Sequence, residues 1–91
     1  MKLLFSPTFT RASKRLLKKD LKLNPVLQDT LNTLENNMFH PALKTHKLKG
    51  KLSGRWSCSV IYDLRIVFKI VEFESAEAIL LLTIGTHDEV Y

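Results

Sequence analysis

The stretch that most constrains this fold lies close to the end of the chain. Residues 78–84 read AILLLTI, apolar apart from Thr83, with Glu77 before them and Gly85 after. A run of that length suits a strand and is far too short to cross a bilayer. An uninterrupted apolar strand has no polar side to give to water, so it belongs at the centre of a sheet with cover on both faces. The rest of the chain has to supply its neighbouring strands and at least one covering layer.

The covering layer is written in the first forty or so residues. Lys2 to Phe5 reads as a short strand, and Ser6-Pro7-Thr8 ends it, with Ser6 or Thr8 available as a helix N-cap. From Phe9 to Lys19 the apolar positions Phe9, Ala12, Leu16 and Leu17 keep near-helical spacing. Arg11, Lys14, Arg15, Lys18 and Lys19 occupy the other face, and cations late in a helix suit its macrodipole. Leu21 to Leu23 then leads into a second helix, with Asn24 as N-cap and Pro25 at the first helical position. Leu27, Leu31, Leu34 and Met38 form a single apolar stripe, and Pro41 forbids much continuation. Two helices so briefly joined form an antiparallel hairpin.

Three further strands follow a basic loop at Pro41 to Gly54. From Arg55 to Tyr62, Trp56, Cys58, Val60 and Tyr62 alternate with Arg55, Ser57, Ser59 and Ile61. Asp63-Leu64 marks a tight connection or bulge, after which Ile66, Phe68 and Ile70 alternate with Arg65, Val67 and Lys69. Glu72 to Glu77 reads as an acidic hairpin loop before the apolar run. The element order gives one α+β domain over residues 1–91, with an N-terminal strand and a two-helix hairpin packed on a small antiparallel sheet. Arg65 falls on the face opposite Phe68 and projects from the open side. One domain is also what 91 residues allow, since two cores would each be too small.

Charge says more about partners than about fold. The net charge is +5, and residues 1–23 carry seven Lys/Arg against Asp20 alone. Residues 40–56 add five cations and no acid, while beyond Lys69 only carboxylates occur. Such polarity steers a polyanion onto one side of the molecule, although a basic helix also serves simply to keep a small protein soluble. No apolar run is long enough for a membrane span, and MKLLFSPTF reads as a first strand and not a signal peptide. The single Cys58 cannot form an internal disulfide, which fits a reducing cytoplasm, and its place in a strand pattern makes it a small buried residue.

Few groups are equipped for chemistry. His40, His46 and His87 are the histidines, and no metal-ligand spacing, HExxH or CxxC relates them, so neither a metal nor another cofactor is expected. RNA cleavage by internal attack asks for little more than this chain has. It needs a base for the 2′-OH, cations for the phosphorane and an acid for the departing 5′-oxygen. Histidine suits both proton roles near neutral pH, and the planar fork of arginine suits phosphate oxygens. Taken singly, each residue also has a plain reading. His46 and His87 can be exposed polar residues, Arg65 can pair with Asp63, and Lys47, Lys49 and Lys51 can be solvated. Tyr91 can close the core, and Trp56 can pack.

Taken together they resemble one superfamily. The block LKGKLSGRWSCSVIYDLRIVF, residues 48–68, resembles the segment that marks the RelE/ParE superfamily of bacterial toxins, in which a basic loop leads to a G-x-W strand start and a D-x-R-[IL]-[VI]-[FY] strand. The closing IGTHDEVY is similar to the end of the YafQ-like and RelE-like branches, where G-T-H precedes a terminal aromatic. The element order matches along the whole chain, and the motifs match over residues 42–91.

That resemblance implies a RelE-like, microbial-RNase-like fold and a metal-independent mRNA interferase, the toxin of a type II toxin–antitoxin system. Such a toxin enters the ribosomal A site against 16S and 23S rRNA, cuts the message there and is silenced by a cognate acidic antitoxin. Carried over by position, His46, Asp63, Arg65 and His87 match the catalytic set. Lys47, Lys49, Lys51, Arg55 and Tyr91 match RNA contacts. Ser59 departs from the pattern, since some YafQ-like members have another histidine there. Two other outcomes stay open: a ParE-type toxin that inhibits DNA gyrase without cutting RNA, and an inactive member that only binds RNA or antitoxin.

Overall fold

The computed structural model describes all of residues 1–91. Strand β1 is Lys2–Phe5, helix α1 Pro7–Lys19 and helix α2 Leu23–Asn36. A two-residue strand β2, His46–Lys47, lies between single 3-10 turns at Pro41–Leu43 and Gly50–Leu52. Strands β3 (Trp56–Ser59), β4 (Leu64–Phe73) and β5 (Ala76–Thr86) follow, and a one-turn helix α3, His87–Val90, closes the chain. The sheet order is β1-β5-β4-β3-β2. Strand β1 lies parallel to β5 and every other pairing is antiparallel.

The apolar run is therefore central, as its composition requires. Its two neighbours are β1 and β4, and α1 packs against it. The side chains do not simply alternate, because Val67 and Phe68 face Thr83 and Leu81, leaving Leu82 unopposed. This bulge resets the alternation, so that Ile79, Leu81 and Ile84 all join one core with Ile66 and Phe68. Leu80 and Leu82 are only half-buried, so the second face of β5 is covered in part.

Each helix contributes a stripe to that core. Ser6 caps α1 by accepting from the Phe9 amide at 3.1 Å, with Pro7 at the first helical position, and such a cap stabilises a helix by about 1 kcal/mol. Phe9 is buried, and Ala12, Leu16 and Leu17 pack against the core. Leu27, Leu31, Leu34 and Met38 are all buried, each worth roughly 1.5–3 kcal/mol of transfer free energy.

Three boundaries differ from the sequence expectation. Helix α2 starts at Leu23, not after an Asn24 cap. Asp20 organises the entry instead, its Oδ1 accepting from the Lys22 amide and its carbonyl from the Leu23 amide. Pro25 still lies in the first turn, where a missing N–H costs nothing. Strand β3 stops at Ser59, and Tyr62, in a left-handed conformation (φ 49°) and 91% exposed, stands in the turn to β4. The expected acidic loop is mostly strand: Glu72 pairs with Glu77, and Glu74-Ser75, both at positive φ, make a two-residue hairpin turn.

Candidate active site

The sheet register decides which side chains share the open face. Cys58, Ile66 and Phe68 belong to the helix-covered core, so alternation turns Ser57, Ser59, Arg65 and Val67 the other way. His46 stands opposite Ser57, which stands opposite Val67, forming one cross-strand row. Ser59, Arg65 and Gly85 form the next. Pairing thus brings His46 and Arg65, far apart in sequence, onto neighbouring rows.

Both are fastened by a backbone carbonyl beside a left-handed residue. The 3-10 turn at Pro41–Leu43 ends at Lys44 with φ 50°, and the Lys44 carbonyl lies 3.0 Å from His46 Nδ1. A carbonyl only accepts, so the neutral ring carries its proton on Nδ1 and leaves the Nε2 lone pair free. Arg65 Nη1 donates to the Tyr62 carbonyl at 2.8 Å and to the Leu64 carbonyl at 3.3 Å. Non-glycine residues are costly in this conformation and persist where their surroundings hold them. The remaining two such residues, Glu74 and Ser75, make the hairpin.

The C-terminal turn brings the rest. Thr86 and Glu89 form a capping box, with Glu89 Oε1 accepting from the Thr86 amide at 2.8 Å. Helix α3 packs on β4 and β5, and Tyr91 reaches across the open face to donate its hydroxyl to Ser57 Oγ. The His87 ring, in a residue whose side chain is 59% exposed, meets the Tyr91 ring edge-to-face at 4.6 Å and 89°. Its Nδ1 lies 3.5 Å from Asp88 Oδ1, the one ion pair in the structure if the imidazole is protonated.

The remaining candidates divide. Arg55 directly precedes β3 in step with Ser57, and Lys49 and Lys51 are exposed on the loop outside the edge strand β2. Lys47 pairs with Trp56 and lies across the sheet from His46, its Nζ 5.3 Å over the indole, which in turn meets Phe39 edge-on. Asp63 makes no salt bridge to Arg65. It lines an apolar groove with Asp20, Lys22 and Leu23 at the junction of the two helices. No three His, Cys, Asp or Glu side chains converge as a metal-binding group would.

Sequence reasoning passed over three residues that build this face. Ser57 looked like an outward strand residue, and its tie to Tyr91 spans 34 positions. Gly85 looked like a strand end, yet a Cβ there would lie 3.0 Å from Glu89 Oε1 and 3.2 Å from Val90 Cγ1. Glu89 was legible, because Thr86-His87-Asp88-Glu89 is a T-x-x-E capping signature.

Helices packed on one five-stranded mixed sheet give the fold of the RelE-type toxins. The chain is similar to YafQ from Escherichia coli strain BL21(DE3), at 21% identity with a TM-score of 0.79, covering 99% of this chain and 97% of that one. It is likewise similar to the YoeB/ParE toxin from Agrobacterium tumefaciens, at 20% identity with a TM-score of 0.78, covering 96% and 99%. A metal-bound toxin from Helicobacter pylori shares 30% identity with a TM-score of 0.76, covering 100% and 99%. No curated protein matches the sequence closely enough to count as a relative. The family model for YafQ, a bacterial toxin of type II toxin–antitoxin systems, matches residues 1–91, and the chain belongs to that family. Its partner class is therefore an antitoxin. No helix is long and apolar enough to cross a membrane.

Proposed function

We propose that this toxin is a ribosome-dependent endoribonuclease that cuts mRNA in the A site by attack of a ribose 2′-OH on the adjacent phosphorus. The observation that carries the reading is that β2, β4 and α3 bring His46, Arg65 and His87 to one open face. His46 Nε2 takes the 2′-OH proton, since its lone pair is the free one. The 2′-oxygen bonds to phosphorus, the bond to the 5′-oxygen breaks, and protonated His87 gives that oxygen its proton. The products are a 2′,3′-cyclic phosphate and a 5′-hydroxyl. Arg65 spends Nη1 on two carbonyls, and its other guanidinium N–H groups serve the phosphorane oxygens. Lys49, Lys51 and Arg55 hold the flanking phosphates, and Tyr91 offers a ring for stacking. The proton transfers use neither Asp63 nor Lys47, whose ammonium over Trp56 at the sheet edge stays available to RNA phosphate.

An acidic antitoxin segment that folds onto this face would silence the toxin by occupying it. The nuclease reading is tested in a reconstituted translation mixture, with primer extension mapping the cuts and a ribosome-free control. Codon-aligned cuts only with ribosomes support it. No cuts, together with inhibition of DNA gyrase, would overturn it and place the chain with ParE-type toxins.

A further inference from the structure

The side chain of His87 has little to hold it. It stands on a helix of one turn, its only side-chain hydrogen bond is the 3.5 Å approach to exposed Asp88, and its remaining support is the edge-on Tyr91 ring. Tyr91 lies just past the single turn of α3, which by itself fixes its ring only loosely. What holds it is Ser57, which lies 34 residues earlier in β3, has no exposed surface and accepts the tyrosine hydroxyl on the open face. Ser57 is itself fixed by rigid pairing, opposite His46 on one side and Val67 on the other. The same serine therefore registers the β2 histidine through the sheet and the α3 histidine through a tyrosine.

We propose that Ser57 is a positioning residue for His87, acting through the Tyr91 hydroxyl. This rests on the nuclease reading for its catalytic meaning, but the mechanical link stands apart from it. Losing the Ser57–Tyr91 hydrogen bond leaves the tyrosine ring free to leave the face, and the imidazole then samples orientations in which its acidic N–H misses the departing 5′-oxygen. Misplacement of a catalytic group by about 1 Å costs up to about 100-fold in rate. Message binding, which depends mainly on the cationic loop and only in part on the Tyr91 ring, should weaken less than the rate falls.

The test compares Ser57→Ala, Tyr91→Phe and the double variant, all of which keep the aromatic ring. Each single variant should lower kcat roughly 10- to 100-fold, with a smaller rise in KM from the loosened stacking ring, and the double variant should lose no more than either single. In parallel, the imidazole proton resonances of His87, assigned with a His87→Gln control, should move from ring-current-shifted values toward those of a free histidine in all three. A hydroxyl that merely satisfies a buried position would lower the melting temperature while leaving the kcat/KM split and the His87 resonances unchanged, and that result overturns the proposal. If the unaltered toxin cuts no message, the nuclease reading fails, while the resonances still decide whether Ser57 fixes the His87 ring.

Discussion

Arg65 donates through Nη1 to the carbonyl of Tyr62 at 2.8 Å, and Tyr62 is the residue whose left-handed backbone turns β3 into β4. The guanidinium thus holds the turn and is aimed by it. The same device recurs at His46, whose Nδ1 meets the carbonyl of left-handed Lys44. Two strained backbone positions orient two polar side chains of the open face, which is where such strain is usually kept.

Replacing Arg65 separates its two duties. Arg65→Ala should lower single-turnover mRNA cleavage by about 100-fold or more, the typical cost of removing one transition-state donor. Arg65→Lys should recover little of this, because one ammonium cannot both hold the Tyr62 carbonyl and fork two phosphate oxygens. Arg65 is only half-buried, so both variants should fold and bind antitoxin. Full cleavage by Arg65→Lys would show that a point charge suffices.

Cys58 should be inert in the folded toxin. It has no exposed surface, and burial pushes its thiol up to about 12, opposed in part by the Arg65 cation. Iodoacetamide at pH 8 should leave it unmodified until denaturant unfolds the chain, as mass spectrometry would read. Because the folded value lies above the unfolded one, the contribution to stability is complete below pH 9.0 and fades as pH rises toward about 12. Rapid labelling under native conditions would mean that β3 opens locally.

Much of the fold was legible because the residues that carry it obey local rules. The run 78–84 is a central strand, the stripe Leu27–Leu31–Leu34–Met38 is buried, and Ser6 caps α1 as its position suggests. The misses come from places where tertiary pairing overrides local chemistry. Glu74-Ser75 has no glycine or asparagine to announce a tight turn, and only the β4–β5 ladder imposes it. The bulge at Leu82 lies inside an apolar run whose letters carry no alternation to interrupt. The site divides in the same way. Motif and charge point to His46, Arg65 and His87, whereas the Ser57–Tyr91 bond exists only because the chain end folds back over β3. Lys47 lies on the face of β2 opposite His46, as strand alternation requires, and Asp63 lines the groove at the helix junction without a salt bridge to Arg65.

Acid should loosen the C-terminal turn. The Glu89 carboxyl is held below its ordinary value of 4.5, first by the Thr86 amide and then by the Thr86 hydroxyl, with Lys19 and Arg15 of α1 adding attraction. A depressed folded value means that the stabilisation is present above 4.5 and is lost as pH falls through the lower folded value. The Thr86 amide resonance should therefore lose its hydrogen-bonded shift only in that acidic window. Glu89→Gln should keep a neutral version of the cap and show no such titration, and Glu89→Ala should lack the bonded shift at every pH. A Thr86 amide that does not respond between neutral and strongly acidic pH would contradict the capping role.

Gly85 provides the sharpest separation of site from scaffold. It pairs with Arg65 inside the sheet, and an added Cβ would lie 3.0 Å from Glu89 Oε1, 3.2 Å from Glu89 Cβ and 3.2 Å from Val90 Cγ1. The carboxylate tip and the Val90 methyl can rotate away, but the Glu89 Cβ moves only with the backbone of α3. The strand side is pinned by the β4–β5 ladder, so the one-turn helix must give. Gly85→Ala should therefore push α3 outward by a few tenths of an ångström, strain the Thr86–Glu89 cap and shift His87 and Tyr91 on the face. Cleavage should fall roughly 10- to 100-fold. The circular dichroism of the sheet and helix hairpin should stay the same, because the three nearest neighbours of the added methyl all belong to α3. Loss of the Tyr91–Ser57 hydrogen bond should accompany the loss of rate. A variant that keeps both that bond and full cleavage would show that α3 slides along β5 and is not held against Gly85.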